Sequence, residues 1–219
     1  MKKSKSYKSD RYYFEQRVEG EVYVLPDRAI FPIVITTKAT NNHKTIEAAH
    51  SVFQEIASGS EALSAPTTAH IGRFRQEHKE KIVTKVFSKN SRYIQVTISL
   101  HLCTVLAEEG FWQRAKHVSL VQDFLQTTIA KYDGNDDISL AASEVQFAVN
   151  NHEQHRQQIS ESIYDKMKAT LDVIAEKEEK KVVVKDVVMN PKIRCEVLNI
   201  SHAALSMKLD FNIVFADKE

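Results

Sequence analysis

The chain has 219 residues, of which 42% are hydrophobic and 27% are charged, and its formal net charge is +1. This composition is typical of a globular protein with a sizeable core, and the near-neutral charge argues against a dedicated nucleic-acid binder. No stretch reaches the ~18 apolar residues that a membrane span needs. The five glycines form neither GxGxxG nor GxxxxGK, so the commonest phosphate-binding loops are excluded.

The N-terminal part predicts a tail followed by two strands. We expect residues 1–17 to be a disordered basic tail, because no apolar run follows that would make them a secretory signal. Alternating valines at 18–24 predict a first strand, which ends at the Pro26-Asp27 turn. Residues 28–37 predict a second strand. Because Pro32 has no amide hydrogen, we expect this strand to lie at a sheet edge or to carry a bulge.

Three amphipathic helices are predicted where apolar residues recur every three or four positions. They span roughly 44–58, 111–131 and 152–178, and Asn41, Asn42 or Thr45 can cap the first of them. The predicted buried stripes are Ile46, Ala49, Phe53 and Ile56; then Ala115, Val118, Val121, Leu125 and Ile129; and finally Ile159, Ile163, Met167, Leu171 and Ile174.

Two predicted strands, 92–106 and 203–216, contain segments that alternate strictly between apolar and polar residues, at 94–102 and 205–213. Such strands turn one face to a core and the other to water or to a partner. Further strands are predicted at 71–90 (with Ile82, Val83, Val86 and Phe87), 138–149, 182–189 and 193–200. The order β-β-α-β-β-α-β-α-β-β-β predicts an α+β fold, in which an antiparallel sheet is layered with about three helices in a single domain over 18–216.

Several segments have the residue pattern of one known family. The opening VEGEVYVLPDRAIFPIVITTKATNNHKTIEAA (18–49) carries Gly20, Pro26, Asp27, Ala39 and Glu47-Ala48-Ala49. The segments 93–118 and 143–176 each join a strand to a helix, and 206–215 is the terminal strand. Together these patterns resemble the SIMPL domain family, also called DUF541. The resemblance implies an α+β fold, ring-like self-assembly as in some bacterial relatives, stress-related roles, and adaptor behaviour as in an animal relative that binds a receptor-associated kinase.

Three groups of residues raise the question of chemistry. His152 and His155 lie three apart at a helix start, where they either hold a metal or are simply solvated. The segment DGNDDISLAASE (133–144) places oxygens as a calcium loop does, but Ile138 replaces the required glycine, and a helix-to-strand turn explains it equally. His101 and Cys103 share one strand face, which permits a thiolate–imidazole pair or a plain polar face.

Two further groups suggest surfaces. Phe111 and Trp112 either anchor a helix start on the sheet or form an exposed aromatic recognition site. Basic residues interleaved with Phe74, Glu77 and Glu80 predict an edge strand guarded by charge, with nucleic-acid contact as the alternative. These basic residues are Arg73, Arg75, Lys79, Lys81 and Lys85.

These patterns assign no catalytic, cofactor-binding or metal-ligating residue, and we expect Cys103 and Cys195 to be free thiols. We therefore expect a non-enzymatic, cytoplasmic protein without a cofactor, acting as a self-associating scaffold or interaction module. Its predicted partners are copies of itself or another protein, and neither nucleic acid nor a membrane span is expected. The alternative is a small-molecule or metal-binding protein that uses a cleft between helices and sheet.

Overall fold

The computed structural model describes residues 14–82, 90–106 and 110–216, and contacts divide the chain into two compact units. Unit 1 contains the segments up to Val24, Asn151–Leu198 and from His202 onward, and unit 2 contains Leu25–Asn150 and Asn199–Ser201. The elements are β1 (Phe14–Val24), β2 (Arg28–Ala39), α1 (Asn42–Glu61), β3 (Thr67–Ile82), β4 (Asn90–Val105), α2 (Phe111–Ala130), β5 (Ile138–Ala142), β6 (Gln146–Ala148), a 3-10 turn (His152–His155), α3 (Arg156–Lys177), β7 (Lys181–Met189), β8 (Arg194–Asn199) and β9 (His202–Ala216).

The predicted α+β class and its antiparallel pairing are confirmed, and the element order matches with one strand split in two. The predicted tail was too long, because β1 begins at Phe14. Val83, Val86 and Phe87 of the predicted strand 71–90 lie outside the described residues. The single domain over 18–216 stays a prediction.

Unit 2 is a five-stranded antiparallel sheet in the order β3-β4-β2-β5, with β6 also paired to β2. Alternate residues of β2 and β4 enter one core together with α1 and α2. The fully buried members include Phe31, Ile35, Leu100 and Val121. Asn41 caps α1, since its side-chain oxygen accepts a hydrogen bond from the Lys44 amide at 2.9 Å.

Pro32 lies neither on an edge strand nor at a bulge in the pairing with β4, so that prediction was wrong. β2 is an inner strand, and its other side is shared by β5, which begins pairing at Ile33, and β6, which stops at Ile30. The Pro32 carbonyl accepts a hydrogen bond from Ser143 at 2.9 Å, so the missing amide faces this same break. The interrupted partner strand therefore tolerates a proline in the middle of the sheet.

The buried faces of the helices agree with most of the predicted stripes and differ at some positions. On α1, Val52 is buried while Ile46 is 44% exposed. On α2, Arg114 and Thr128 are buried in place of Ala115 and Ile129. On α3, only Ile159 and Ile163 of the predicted stripe are fully buried. The predicted stripes therefore identify most of the buried positions, and the differences lie at single positions such as Ile46 on α1 and Arg114 on α2.

Arg114 is 1% exposed and is the largest fully buried side chain. Its Nη2 donates to the Pro26 carbonyl, whereas its Nε has no hydrogen-bond partner within the described residues. Burial lowers the pKa of the guanidinium, and the Asp27 carboxylate opposes that effect. Arg114 thus fastens the first turn of α2 to the Pro26-Asp27 turn of unit 2.

Unit 1 is a four-stranded antiparallel sheet in which β9 pairs with β1 along one side and with β7 and β8 along the other. Alternate residues of β9, from Leu205 to Ile213, are buried, and α3 packs on this sheet. Gly20 of β1 lies directly under α3. A Cβ at this position would approach the Ile163 side chain and lie 2.6 Å from the Ile159 carbonyl oxygen.

The end of α2 is tied to α1 by a small ionisable cluster. Lys131 Nζ donates to Glu55 Oε1 at 2.6 Å, and the Tyr132 hydroxyl donates to Glu55 Oε2 at 2.5 Å. Burial and then the Glu55 carboxylate raise the pKa of Tyr132 to about 12. The Lys131 and Tyr132 hydrogen bonds lower the pKa of Glu55.

This cluster predicts a specific loss of stability at alkaline pH. A phenol with a folded-state pKa of about 12 and an unfolded-state pKa of about 10 contributes stability that is fully present below the lower value and is lost as pH rises through the higher one. The free energy of unfolding, measured with urea at a series of pH values between the two pKa values, should therefore fall less steeply with pH for Tyr132→Phe than for the unmodified chain. Identical slopes for both proteins would contradict the prediction.

Candidate interaction surfaces

His101 and Cys103 lie on the face of β4 opposite the core. β3 places His70 beside His101 and Thr68 beside Cys103. His101 Nδ1 is shielded from solvent and has no hydrogen-bond partner within the described part of the chain. Burial raises the pKa of the Cys103 thiol, only partly offset by Arg28, so the thiol stays protonated near neutral pH. This face therefore supplies a polar surface without an activated nucleophile.

The two segments considered as ion sites have ordinary structural partners. His155 contacts Gln154 at 2.9 Å and Gln158 at 3.3 Å on the 3-10 turn. In the 133–144 segment, Asn135 Oδ1 accepts from the amides of Asp137 and Ile138 at 2.9 and 3.0 Å, and β5 starts there. Across the described ranges, no three His, Cys, Asp or Glu side chains converge as a metal site.

The basic residues around 73–85 lie on β3, which pairs with β4 and forms one edge of the unit 2 sheet. Glu77 contacts Arg75 at 2.5 Å and Lys79 at 3.0 Å, and the hydrogen bond from Lys79 lowers the pKa of Glu77. The prediction of an edge strand guarded by charge is confirmed for the described residues. Lys85 and the side chain of Lys81 lie outside them.

Phe111 and Trp112 do not anchor α2 on the sheet. Trp112 is 76% exposed and Phe111 is 49% exposed, and their rings meet edge to face with centroids 5.1 Å apart. Two residues along a helix turn by roughly 200°, so the burial of Arg114 directs Trp112 outward. The two rings instead form an exposed aromatic surface at the start of α2, as the second alternative has it.

Unit 1 carries a polar groove of about 610 Å³ that the sequence analysis missed. Its network centres on Glu19, which accepts from the Ser206 hydroxyl at 2.8 Å and lies 3.4 Å from Lys208 Nζ. The Ser206 hydrogen bond is the main cause that lowers the pKa of Glu19. The alternation of β9 was the available signal, since it places Ser206 and Lys208 on one face, but Glu19 is 187 residues away from Ser206.

Strand β7, which we call the β7 edge, forms an outer strand of the unit 1 sheet. Six of its nine residues are valine or methionine. Val187 is 48% exposed and Val188 is 65% exposed. Its register against β9 shifts between Val184 and Asp186, so Lys185 forms a bulge.

Comparisons with known proteins leave the family open. No known family profile and no curated protein matches the chain. Among solved structures it is similar to hydantoinase/carbamoylase family amidases from Burkholderia ambifaria and Burkholderia phymatum, at 14% and 12% identity and TM-scores of 0.31 and 0.32. These matches cover 57% and 64% of this chain but span only 30% and 35% of the amidases. An uncharacterized conserved protein from Listeria innocua matches 87% of the chain and 92% of its own length, at 6% identity and a TM-score of 0.20.

Within the described residues, no helix combines the length and the apolar character needed to cross a membrane.

Proposed function

We propose that this chain is a non-enzymatic, SIMPL-like protein that associates with copies of itself and acts as a scaffold or interaction module. A cytoplasmic location and a stress-related role belong to the same proposal. The proposal draws on the sequence resemblance and on the surfaces of the two units.

The observation that carries the proposal is the set of large apolar side chains exposed in both units. Trp112 in unit 2 is 76% exposed, and Val188 and Tyr23 in unit 1 are 65% and 63% exposed. Exposed aromatic and aliphatic side chains lose unfavourable contact with water when a protein partner covers them. Exposed aromatic side chains such as Trp112 are of the type enriched in protein–protein interfaces.

Self-association is tested by the mass of the chain in solution. Sedimentation velocity over about a hundredfold range of concentration should show a species heavier than the 25.0 kDa monomer that grows with concentration. A constant monomer mass across the whole range would overturn the self-association in the proposal.

A further inference from the structure

Three of the edges in the two sheets are protected against pairing with another strand. A free strand edge exposes N–H and C=O groups that a second strand can bind. β3 is guarded by the charged residues described above, and β5 and β6 are only five and three residues long. At β1, Lys166 Nζ of α3 donates to the Glu19 carbonyl at 2.9 Å, and the Glu21 amide donates to the Ser162 hydroxyl at 3.3 Å.

The β7 edge has fewer charged residues than β3, namely Lys181, Lys185 and Asp186, and it is not tied to a helix as β1 is within the described residues. Within the described residues, no side chain hydrogen-bonds to its backbone, and neither Lys185 nor Asp186 forms an ion pair. Its side chains are mostly valine, the residue type that favours strand pairing. Because it is nine residues long, is mostly apolar and has no side-chain hydrogen bond to its backbone within the described residues, this edge is suited to accept a further strand.

The β7 edge is also complementary to itself. Its sequence, KVVVKDVVM, has a basic and an acidic residue side by side at its centre. We propose that β7 pairs antiparallel with β7 of a second copy, about a two-fold axis between Lys185 and Asp186, so that the unit 1 sheets of two copies form one continuous sheet. This inference rests on the proposed self-association and names its surface.

In this register each residue meets a suitable counterpart. Lys185 lies opposite the partner's Asp186, and Asp186 opposite the partner's Lys185. Val184 then lies opposite the partner's Val187, and Val183 opposite the partner's Val188. Opposite charges and β-branched pairs directly across two strands are stabilising. A two-fold contact of this kind is closed, and therefore gives a dimer through this surface.

The charges also select against other alignments. If the antiparallel register shifts by one position, either Lys185 lies opposite the partner's Lys185 or Asp186 lies opposite the partner's Asp186. In an in-register parallel alignment, both of these like-charge pairs occur. Like charges directly opposite one another are unfavourable. The bulge at Lys185 lies at the proposed axis, so both strands bend there in the same way.

Charge reversal tests the register in the full chain. In Lys185→Glu the two central positions are both acidic, and in Asp186→Lys both are basic, so each variant alone should dimerise about tenfold more weakly. An equimolar mixture of the two should form a heterodimer of near-original affinity. The double variant K185E/D186K should also dimerise with near-original affinity. Lys116→Glu, on an exposed position of α2, is the matched control and should leave the affinity unchanged.

The outcomes separate the inference from the proposed function. If the unmodified chain associates but K185E and D186K associate equally well, or if the mixture and the double variant show no recovery, the β7 pairing is wrong and self-association stands. A strictly monomeric chain overturns both. Recovery in the mixture cannot arise from misfolded variants, so it supports this register directly.

Discussion

Gly20→Ala is expected to destabilise the protein by about 3 kcal/mol. The added methyl group would lie 2.6 Å from the Ile159 carbonyl oxygen and 2.9 Å from the Ile163 amide nitrogen, and it would also overlap the Ile163 side chain. Two of these three neighbours are backbone atoms of α3, so a side-chain rotation cannot remove the overlap. Relief requires α3 to move away from β1, which opens the packing around Ile159 and Ile163. Urea unfolding monitored by circular dichroism measures the loss.

Gly110→Ala provides the matched control for this substitution. A Cβ at Gly110 would meet nothing within 4 Å, and the backbone there is extended. Because Gly110 is the N-cap of α2 and alanine is a poorer N-cap than glycine, a cost of at most about 1 kcal/mol is expected. Equal losses for the two variants would mean that Gly20 is not a close-contact position between β1 and α3.

Arg114→Ala should cost about 3 kcal/mol, the second large effect. The substitution leaves a cavity where the largest fully buried side chain packed, and it removes the donor to the Pro26 carbonyl. Arg114→Met fills most of the same volume and removes a desolvated charge, so only the lost hydrogen bond remains and the cost should be about 1 kcal/mol. Thermal and urea unfolding of both variants give the comparison.

Trp112→Ala is the control two residues away. Although it deletes a larger side chain, Trp112 is 76% exposed and the change should cost less than about 0.5 kcal/mol. If Trp112→Ala proved more damaging than Arg114→Ala, the orientation of α2 on the unit 2 sheet would be wrong.

The strands were predictable because one face of each is buried and the other is not. The alternation of β4 and β9 appears directly in the sequence, and the structure buries the apolar sets around Leu100 and Leu209. Pro32 misled the prediction because a sequence shows the missing donor but not the break in the partner strand. That break is created by two short strands more than 100 residues further along the chain.

The helix faces and the surfaces were less predictable, for a different reason. From hydrophobicity alone, Trp112 is expected to be buried and Arg114 to be exposed. In the structure, Arg114 is buried and Trp112 is exposed, because α2 packs through the face that carries Arg114. The Glu19–Ser206 hydrogen bond joins residues 187 positions apart, so no local pattern indicates it. The edge-strand character of β3, by contrast, followed from its run of alternating charges.

The chain order of unit 1 has a consequence for synthesis. Its strand β1 pairs with β9, and Arg17 contacts Asp210 at 2.5 Å across 193 residues of sequence. The ribosome therefore synthesises all of Leu25–Asn150 before β9, the strand with which β1 pairs, has been made. Unit 2 has nearly all of its contacts available early, and the unit 1 sheet closes only after the last strand has emerged. During that interval β1 has no strand of unit 1 with which to pair.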